Sequence, residues 1–192
     1  MGRRRTKFSG GTVSFTDAKF VGGQVNFSRA GFSGGKVRFF GAGFSGGQVG
    51  FFGAEFSGAG VYFTNAGFSG GRVGFTWAKF SGGTVDFGAG FSGGQVSFTG
   101  AKFSGGQVSF RRAGFSGGTV DFGRAEFSGG TVSFNEAKFF GGTVDFTGAK
   151  FSDGQVSFAD PKDWSHPPMF GWDGEPPPMV VLPDRRGVLA SQ

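Results

Sequence analysis

Residues 91–114 read FSGGQVSFTGAKFSGGQVSFRRAG, which is one twelve-residue pattern written twice. The pattern is Phe-Ser-Gly-Gly-x-Val-x-Phe-x-x-Ala-x, where x is mostly polar or Gly. Followed outward in both directions, it recurs thirteen times across residues 8–160. Its first Phe lies at positions 8, 20, 32, 44, 56, 68, 80, 91, 103, 115, 127, 139 and 151, so that one step, from 80 to 91, has eleven residues. A repeat of this regularity predicts a solenoid built from stacked copies of one unit.

The repeat explains an unusual composition, in which 42 of the 192 residues are Gly and 30 are Phe. Of those 30 Phe, 26 fall in the two fixed slots of the unit. Ala-x-Phe and Val-x-Phe alternate with a period of two, which places the named residues on one face of a strand and x on the other. The Gly pair supplies the conformational freedom that a tight corner requires. Because each piece is too short to be stable alone, we expect an all-β solenoid with a core of stacked Phe rings.

Short segments within the unit carry a resemblance to a known family. Residues 18–22 (AKFVG) and 101–105 (AKFSG) each have a small residue, any residue, Phe, and two further residues that are mostly polar or Gly. This resembles the unit of the pentapeptide-repeat family, whose chains form a right-handed, four-sided β-helix. The resemblance covers residues 8–160 and implies that Ala or Val and the following Phe point inward on each side. Every second side departs from the family pattern, because it has seven residues rather than five.

The size of the coil depends on whether one unit or two units complete a turn. A four-sided coil would hold two units, or 24 residues, whereas a flat two-sided solenoid would have 12-residue coils. The slot between Ala and the first Phe distinguishes these alternatives, because alternate units carry Gly and charged residues there. The Gly set is Gly43, Gly67, Gly90 and Gly114, and the charged set is Glu55, Lys79, Lys102, Glu126 and Lys150. This alternation favours 24-residue coils, with a Gly column on one side and a charged column on the opposite side.

The repeat divides the chain into three parts: a basic N-terminal segment (1–7), the repeat solenoid (8–160) and a Pro-rich tail (161–192). All seven Pro lie in the tail. Its large apolar residues, Trp164, Met169, Phe170, Trp172 and residues 179–182, predict a cap over the last coil. The alternative is a docking peptide, since residues 176–178 are consecutive Pro and favour the polyproline II conformation.

The N-terminal half of the chain is basic. Residues 1–80 carry ten Lys and Arg against two acidic residues, a sum of +8, whereas residues 81–192 sum to −2. A candidate basic contact for nucleic acid or anionic lipid is formed by Arg3, Arg4, Arg5 and Lys7. Little sequence precedes the first Phe, so we expect an uncovered N-terminal coil that invites self-association.

Aromatic and basic residues leave the repeat pattern together in this half. The candidate partner surface consists of Lys36, Arg38, Phe40, Phe52, Tyr62, Arg72 and Trp77. A protein partner is the leading interpretation. Nucleic acid is the alternative, because single-strand binders interleave aromatic and basic side chains. Some pentapeptide-repeat proteins bind gyrase as acidic mimics of DNA, but the net charge of +6 disfavours that role here.

The sequence offers no residues arranged for chemistry. The chain has no Cys, and its one His, His166, lies in the tail. Gly-x-Ser-x-Gly segments recur only because the unit recurs, so we expect no catalytic, cofactor or metal site. No apolar stretch approaches the roughly 20 residues of a membrane span, which favours a cytoplasmic location. These features predict a non-catalytic structural or protein-interaction solenoid.

Overall fold

The structure is a computed structural model that describes residues 6–184. Within this range the chain forms eighteen β-strands, numbered in chain order, in two parallel sheets. The first sheet contains β1 (Lys7–Ser14), β4 (Gly31–Arg38), β7 (Glu55–Tyr62), β9 (Lys79–Asp86), β11 (Lys102–Ser109), β13 (Glu126–Ser133), β16 (Lys150–Ser157) and β18 (Val180–Val181). The second contains β2 (Lys19–Phe20), β3 (Gln24–Asn26), β5 (Gly43–Phe44), β6 (Gln48–Gly50), β8 (Gly67–Gly74), β10 (Gly90–Ser97), β12 (Gly114–Asp121), β14 (Lys138–Phe139), β15 (Thr143–Phe146) and β17 (Met169–Phe170).

Strand pairing confirms the 24-residue coil. Phe8 pairs with Phe32 and Phe32 pairs with Phe56, two units away in each case. Successive units therefore alternate between the two sheets, and this excludes the flat solenoid with 12-residue coils. The eleven-residue step shortens one coil to 23 residues, as the pairing of Phe91 with Phe68 shows.

Four ladders of Phe rings run through the core. Within a ladder the rings stack: Phe98 lies 4.9 Å from Phe75 and 4.7 Å from Phe122, with interplanar angles of 6° and 4°. Phe98 also meets rings of two other ladders: Phe87 edge to face at 5.3 Å and 90°, and Phe80 at 6.3 Å with a tilt of 46°. Stacked and edge-to-face arrangements are both favourable for aromatic pairs. The fixed Phe, Val and Ala slots thus form the core, as the repeat predicts.

In most units a Gly pair forms a corner, and beyond the first coil this corner lies very close to the preceding coil. At Gly106, φ is +71°, and an added Cβ would lie 2.7 Å from the carbonyl carbon of Gly82 in the preceding coil. Strand register shifts at these pairs, so each long strand bends around a corner. The missing residue of the eleven-residue unit is absorbed at a different corner, where Gly88 stands alone between Phe87 and Ala89. There the carboxylate Oδ1 of Asp86 accepts a hydrogen bond from the Gly88 amide at 2.8 Å.

The two ends of the solenoid differ. In the first coil Phe8, Phe15, Phe20 and Phe27 are only partly buried. At the other end, tail residues lie on the last rings: Trp164 meets Phe139 edge to face at 5.1 Å, and Trp172 meets Phe151 at 5.4 Å.

Tail strands also continue the 24-residue spacing. Val180 pairs with Val156 and is buried, and Phe170 pairs with Phe146. Trp164, Phe170, Trp172 and Val180 of the predicted cap thus lie against the last coil, whereas Met169 and Val181 are exposed.

Candidate functional site

An open groove of about 440 Å³ lies on the outer face of the first sheet. Its lining includes Lys36, Arg38, Phe40 and Tyr62, together with threonines of the adjoining coils. Lys36 and Arg38 belong to β4, Phe40 follows at the corner, and Tyr62 is the partner of Arg38 on β7. Four of the seven predicted surface residues are therefore brought together.

The ring of Tyr62 occupies the space that a side chain at Gly60 would fill. A Cβ on Gly60 would lie 2.7 Å from Cε2 of Tyr62, so the ring lies back along its own strand over Gly60. Gly60 is the partner of Lys36 on the adjacent strand, which places the ring beside both cationic side chains. The Phe40 ring is 46% exposed and forms the apolar part of the groove.

The charges around this groove are mostly positive. Lys36 and Arg38 form no ion pair with any residue between 6 and 184. Two acidic residues lie close to it: Asp17, whose amide donates a hydrogen bond to the Phe40 carbonyl at 2.9 Å, and Asp86, the partner of Tyr62 in the next coil. The Asp86 carboxylate already accepts hydrogen bonds from the Thr64 hydroxyl at 2.8 Å and from the Gly88 amide. The two cations therefore remain available for an anionic ligand.

The remaining three predicted residues, Phe52, Arg72 and Trp77, lie on or next to the second sheet. Trp77 is 53% exposed, and its ring lies over Gly100 of the next coil. Phe52 is 46% exposed at the corresponding corner one coil earlier. The seven residues are therefore divided between the two sheets, and only the four on the first sheet line one groove.

Arg72 lies in a column of amide side chains on the second sheet that is not among the predicted surface residues. It is the partner of Gln48 on one side and Gln95 on the other. Nε2 of Gln24 donates a hydrogen bond to Oε1 of Gln48 at 3.5 Å. Open grooves of about 500 Å³ and 310 Å³ flank this column. Comparing the residue before Val in every second unit of the sequence would have revealed this column.

The candidate basic contact at the N-terminus is only partly described. Arg3, Arg4 and Arg5 lie outside residues 6–184, and Lys7 is exposed at the start of β1. The structure therefore adds only the position of Lys7 to this hypothesis.

The Gly and charged columns lie where the alternation predicts. Gly43, Gly67, Gly90 and Gly114 are consecutive partners on the second sheet. On the first sheet, Nζ of Lys79 lies 3.5 Å from Oε1 of Glu55, and Nζ of Lys102 lies 2.8 Å from Oε2 of Glu126. The hydrogen bond from Lys102, and then its charge, lower the pKa of Glu126.

A further charge cluster occupies the corner after β11. The guanidinium groups of Arg111 and Arg112 both bind the carboxylate of Glu136 one coil later, and Nε of Arg112 lies 2.8 Å from Oε2. Hydrogen bonds from Arg112 and then Arg111 lower the pKa of Glu136 to about 2. Because the Glu136 carboxylate already binds both guanidinium groups, these arginines offer less to a partner than Lys36 and Arg38 do.

Residues 6–184 contain no group of three or more His, Asp or Glu that could hold a metal ion. In the same range no helix is long and apolar enough to cross a membrane. The side chain of His166 is exposed, and its backbone amide donates a hydrogen bond to the Phe139 carbonyl at 2.8 Å.

Comparisons with protein-family models and with curated proteins find no match. Among solved structures the chain is similar to QnrB1, described as a plasmid-mediated fluoroquinolone resistance protein. The TM-score is 0.41 and the identity 15%, over 96% of this chain and 88% of that chain. This likeness carries no information about ligands or partners.

Proposed function

We propose that the chain is a non-catalytic, protein-interaction solenoid of the pentapeptide-repeat type, with seven residues on every second side and a cytoplasmic location. The inward slots are filled by Phe, Val and Ala, and Ser157 is the one polar residue that is buried among residues 6–184. Acidic groups such as Asp86 and Asp121 cap corners through hydrogen bonds to Gly amides. Distinctive chemistry is thus confined to outward side chains.

The observation that carries this proposal is the groove formed by Lys36, Arg38, Phe40 and Tyr62. It combines two cations that lack acidic partners in the described chain with exposed aromatic surface. Arg and aromatic side chains are enriched where protein interfaces gain most of their binding energy. The partner surface that fits is one with carboxylates beside an exposed apolar side chain.

Division of the aromatic and basic residues between two sheets weakens the nucleic-acid alternative. A single strand bound by stacking needs successive aromatic platforms along one path. On the first sheet only Phe40 and Tyr62 provide them, since Phe52 and Trp77 lie on the other side of the coil.

A charge-reversal pair tests the proposed function. Arg38→Glu changes the groove, and Arg72→Glu is the matched control, because both residues occupy exposed strand positions without acidic partners in the described chain. Both variants and the unchanged chain are used for affinity capture from the native cell, with and without nuclease. We expect one protein to be lost with Arg38→Glu alone and to be unaffected by nuclease. Equal retention by all three chains would contradict the assignment of the groove, and nuclease-sensitive capture would favour nucleic acid.

A further inference from the structure

The first coil has the same ring ladders as the interior, but they are covered on one side only. Phe8 stacks on Phe32 at 4.8 Å and Phe20 stacks on Phe44 at 4.7 Å, and neither ring has a stacked neighbour on its other face among the described residues. An interior ring such as Phe98 has two. The open end is therefore an apolar surface with the spacing of a Phe ladder.

The open end also carries backbone groups that have no hydrogen-bond partner among residues 6–184. The Phe15 amide donates to the Arg38 carbonyl at 2.7 Å, which fixes the direction of the groups around Ser14. In a parallel pair, one residue directs both its backbone amide and its carbonyl to the partner strand, and the other residue directs both away from it. In the pair of Ser14 with Arg38, Arg38 directs its groups to the first coil, so the Ser14 amide and carbonyl point to the open end. The same reasoning applies to Thr12. Strand edges of this kind pair readily with another strand.

An equivalent edge lies half a coil later. The Gln48 amide donates to the Gly23 carbonyl at 2.9 Å, and the Phe27 amide to the Gly50 carbonyl at 2.7 Å. Gln24 and Asn26 on β3 therefore direct their backbone groups to the open end, as Thr12 and Ser14 do. The first coil thus presents two short edges, centred on Val13 and Val25, on opposite sides.

At the other end of the described chain, tail residues lie over the last coil. The ring of Trp172 stacks on Phe170 at 4.4 Å and covers Phe151, and β18 occupies the edge of β16. A head-to-tail neighbour would have to displace these residues. A contact between two first coils needs no such displacement.

We propose that two copies of this chain form a closed dimer through their first coils, about a two-fold axis that passes near Val13 and Val25. The axis places the two copies of β1 antiparallel, with Thr12 of one copy opposite Ser14 of the other, in the arrangement in which both backbone hydrogen bonds form. Gln24 and Asn26 pair in the same way, and Phe8 faces Phe20 of the second copy. An isologous contact of this kind ends with two chains and does not grow into a filament.

Charge gives the dimer a distinctive salt dependence. Lys7, Lys19 and Arg29 outnumber Asp17 in the first coil, so two copies repel each other. Added salt screens this repulsion. Association will therefore strengthen as salt rises, opposite to the trend for nucleic-acid binding.

Sedimentation of the full chain over a range of concentrations tests the dimer. Ser14→Pro removes the amide that faces the open end and leaves the bonds to the second coil in place, while Ser14→Ala is the matched control for loss of the hydroxyl. We expect a chain of 19.9 kDa to approach twice that mass as concentration rises. Ser14→Pro should raise the dissociation constant at least tenfold, equivalent to about 1.4 kcal/mol, while Ser14→Ala should not change it.

Hydrogen exchange on the unchanged chain gives a second readout that does not depend on the folding of a variant. Protection of the Thr12 and Ser14 amides should increase with concentration. A monomer at every concentration and salt, growth beyond the dimer, or a dimer lost with Trp172→Ala but retained with Ser14→Pro would each overturn the proposal. The dimer proposal shares with the proposed function only the premise that the chain acts through non-catalytic contacts. Because it uses a different surface, Arg38→Glu should lose the captured partner and keep the dimer mass, whereas Ser14→Pro should do the reverse.

Discussion

Substituting Gly106 by Ala will separate two reasons for glycine at the corners of the solenoid. The first reason is the left-handed φ of +71°, and the second is the 2.7 Å approach of an added Cβ to the backbone of the preceding coil. Gly148 provides the matched control, because its φ is +72° but the nearest atom to an added Cβ lies 3.8 Å away. Gly148→Ala therefore introduces the strained conformation alone.

The expected loss of unfolding free energy is larger for Gly106→Ala than for Gly148→Ala. An L-residue in the left-handed region costs about 1–2 kcal/mol, and the lower entropy of the unfolded chain returns about 0.4–1 kcal/mol. Gly148→Ala should thus lower the free energy of unfolding by about 1 kcal/mol. At Gly106 the coils must also move apart until the new contact reaches its normal distance. Overpacking of this kind adds about 1–3 kcal/mol, for a total of about 2–4 kcal/mol.

The natural sequence shows one way in which the corner can respond. Ala59 occupies the slot of Gly106 in its own unit, and there φ is not left-handed and the methyl group is buried. Gly106→Ala must therefore keep a strained corner or rebuild it, and both are unfavourable.

Urea unfolding followed by far-UV circular dichroism measures the differences. Gly43→Ala is the baseline, since its φ lies outside the left-handed region and nothing lies within 4 Å of an added Cβ. It should be neutral or stabilising. Equal losses for Gly106→Ala and Gly148→Ala would refute the reasoning, because close approach of the coils would then have no measurable cost.

Two further measurements probe the core and the charge clusters. Phe98→Ala should lower the free energy of unfolding by about 3–5 kcal/mol. Phe8→Ala should lower it by about half as much, because Phe8 is only partly buried and stacks on one ring. Equal losses in urea unfolding would contradict a first coil whose rings are covered on one side only. Since the pKa of Glu136 falls from 4.5 to about 2, its contribution to stability is complete above pH 4.5 and is lost as the pH falls toward 2. An NMR titration of the carboxyl carbon should show this low midpoint, and Arg112→Gln should raise it; an ordinary midpoint in the unchanged chain would show that the arginines do not bind it in solution.

Much of the fold could be predicted because inward slots are constrained by packing. A Phe core tolerates few alternatives, so Phe, Val and Ala recur at fixed positions and reveal the unit. The coil length followed from one outward slot, where Lys102 and Glu126 alternate with glycines such as Gly114. The structure places Lys102 beside Glu126 on one sheet and Gly114 on the other.

The candidate surface was harder to predict because outward slots have no such constraint. Phe40 and Phe52 occupy the same slot of adjacent units, and both are assigned to one candidate surface because they lie in the basic half of the sequence. In a 24-residue coil, adjacent units lie on different sheets, so the same slot appears on opposite sides. Applying the coil length to the outward residues would have separated Phe52 from Phe40. The position of the Tyr62 ring depends on Gly60 in its own strand and required the structure.

The pairing of two units in each coil has a consequence for how such a chain can lengthen by gene duplication. Duplicating twelve residues would preserve every inward slot, and the solenoid would still stack. Every residue after the duplication would move to the other sheet, so the column that contains Gly43 would continue into the column of Lys102 and Glu126. Duplicating 24 residues preserves both the inward slots and the outward columns. Growth that conserves a surface must therefore occur in even numbers of units, and a chain with an odd insertion keeps its fold while exchanging its two faces.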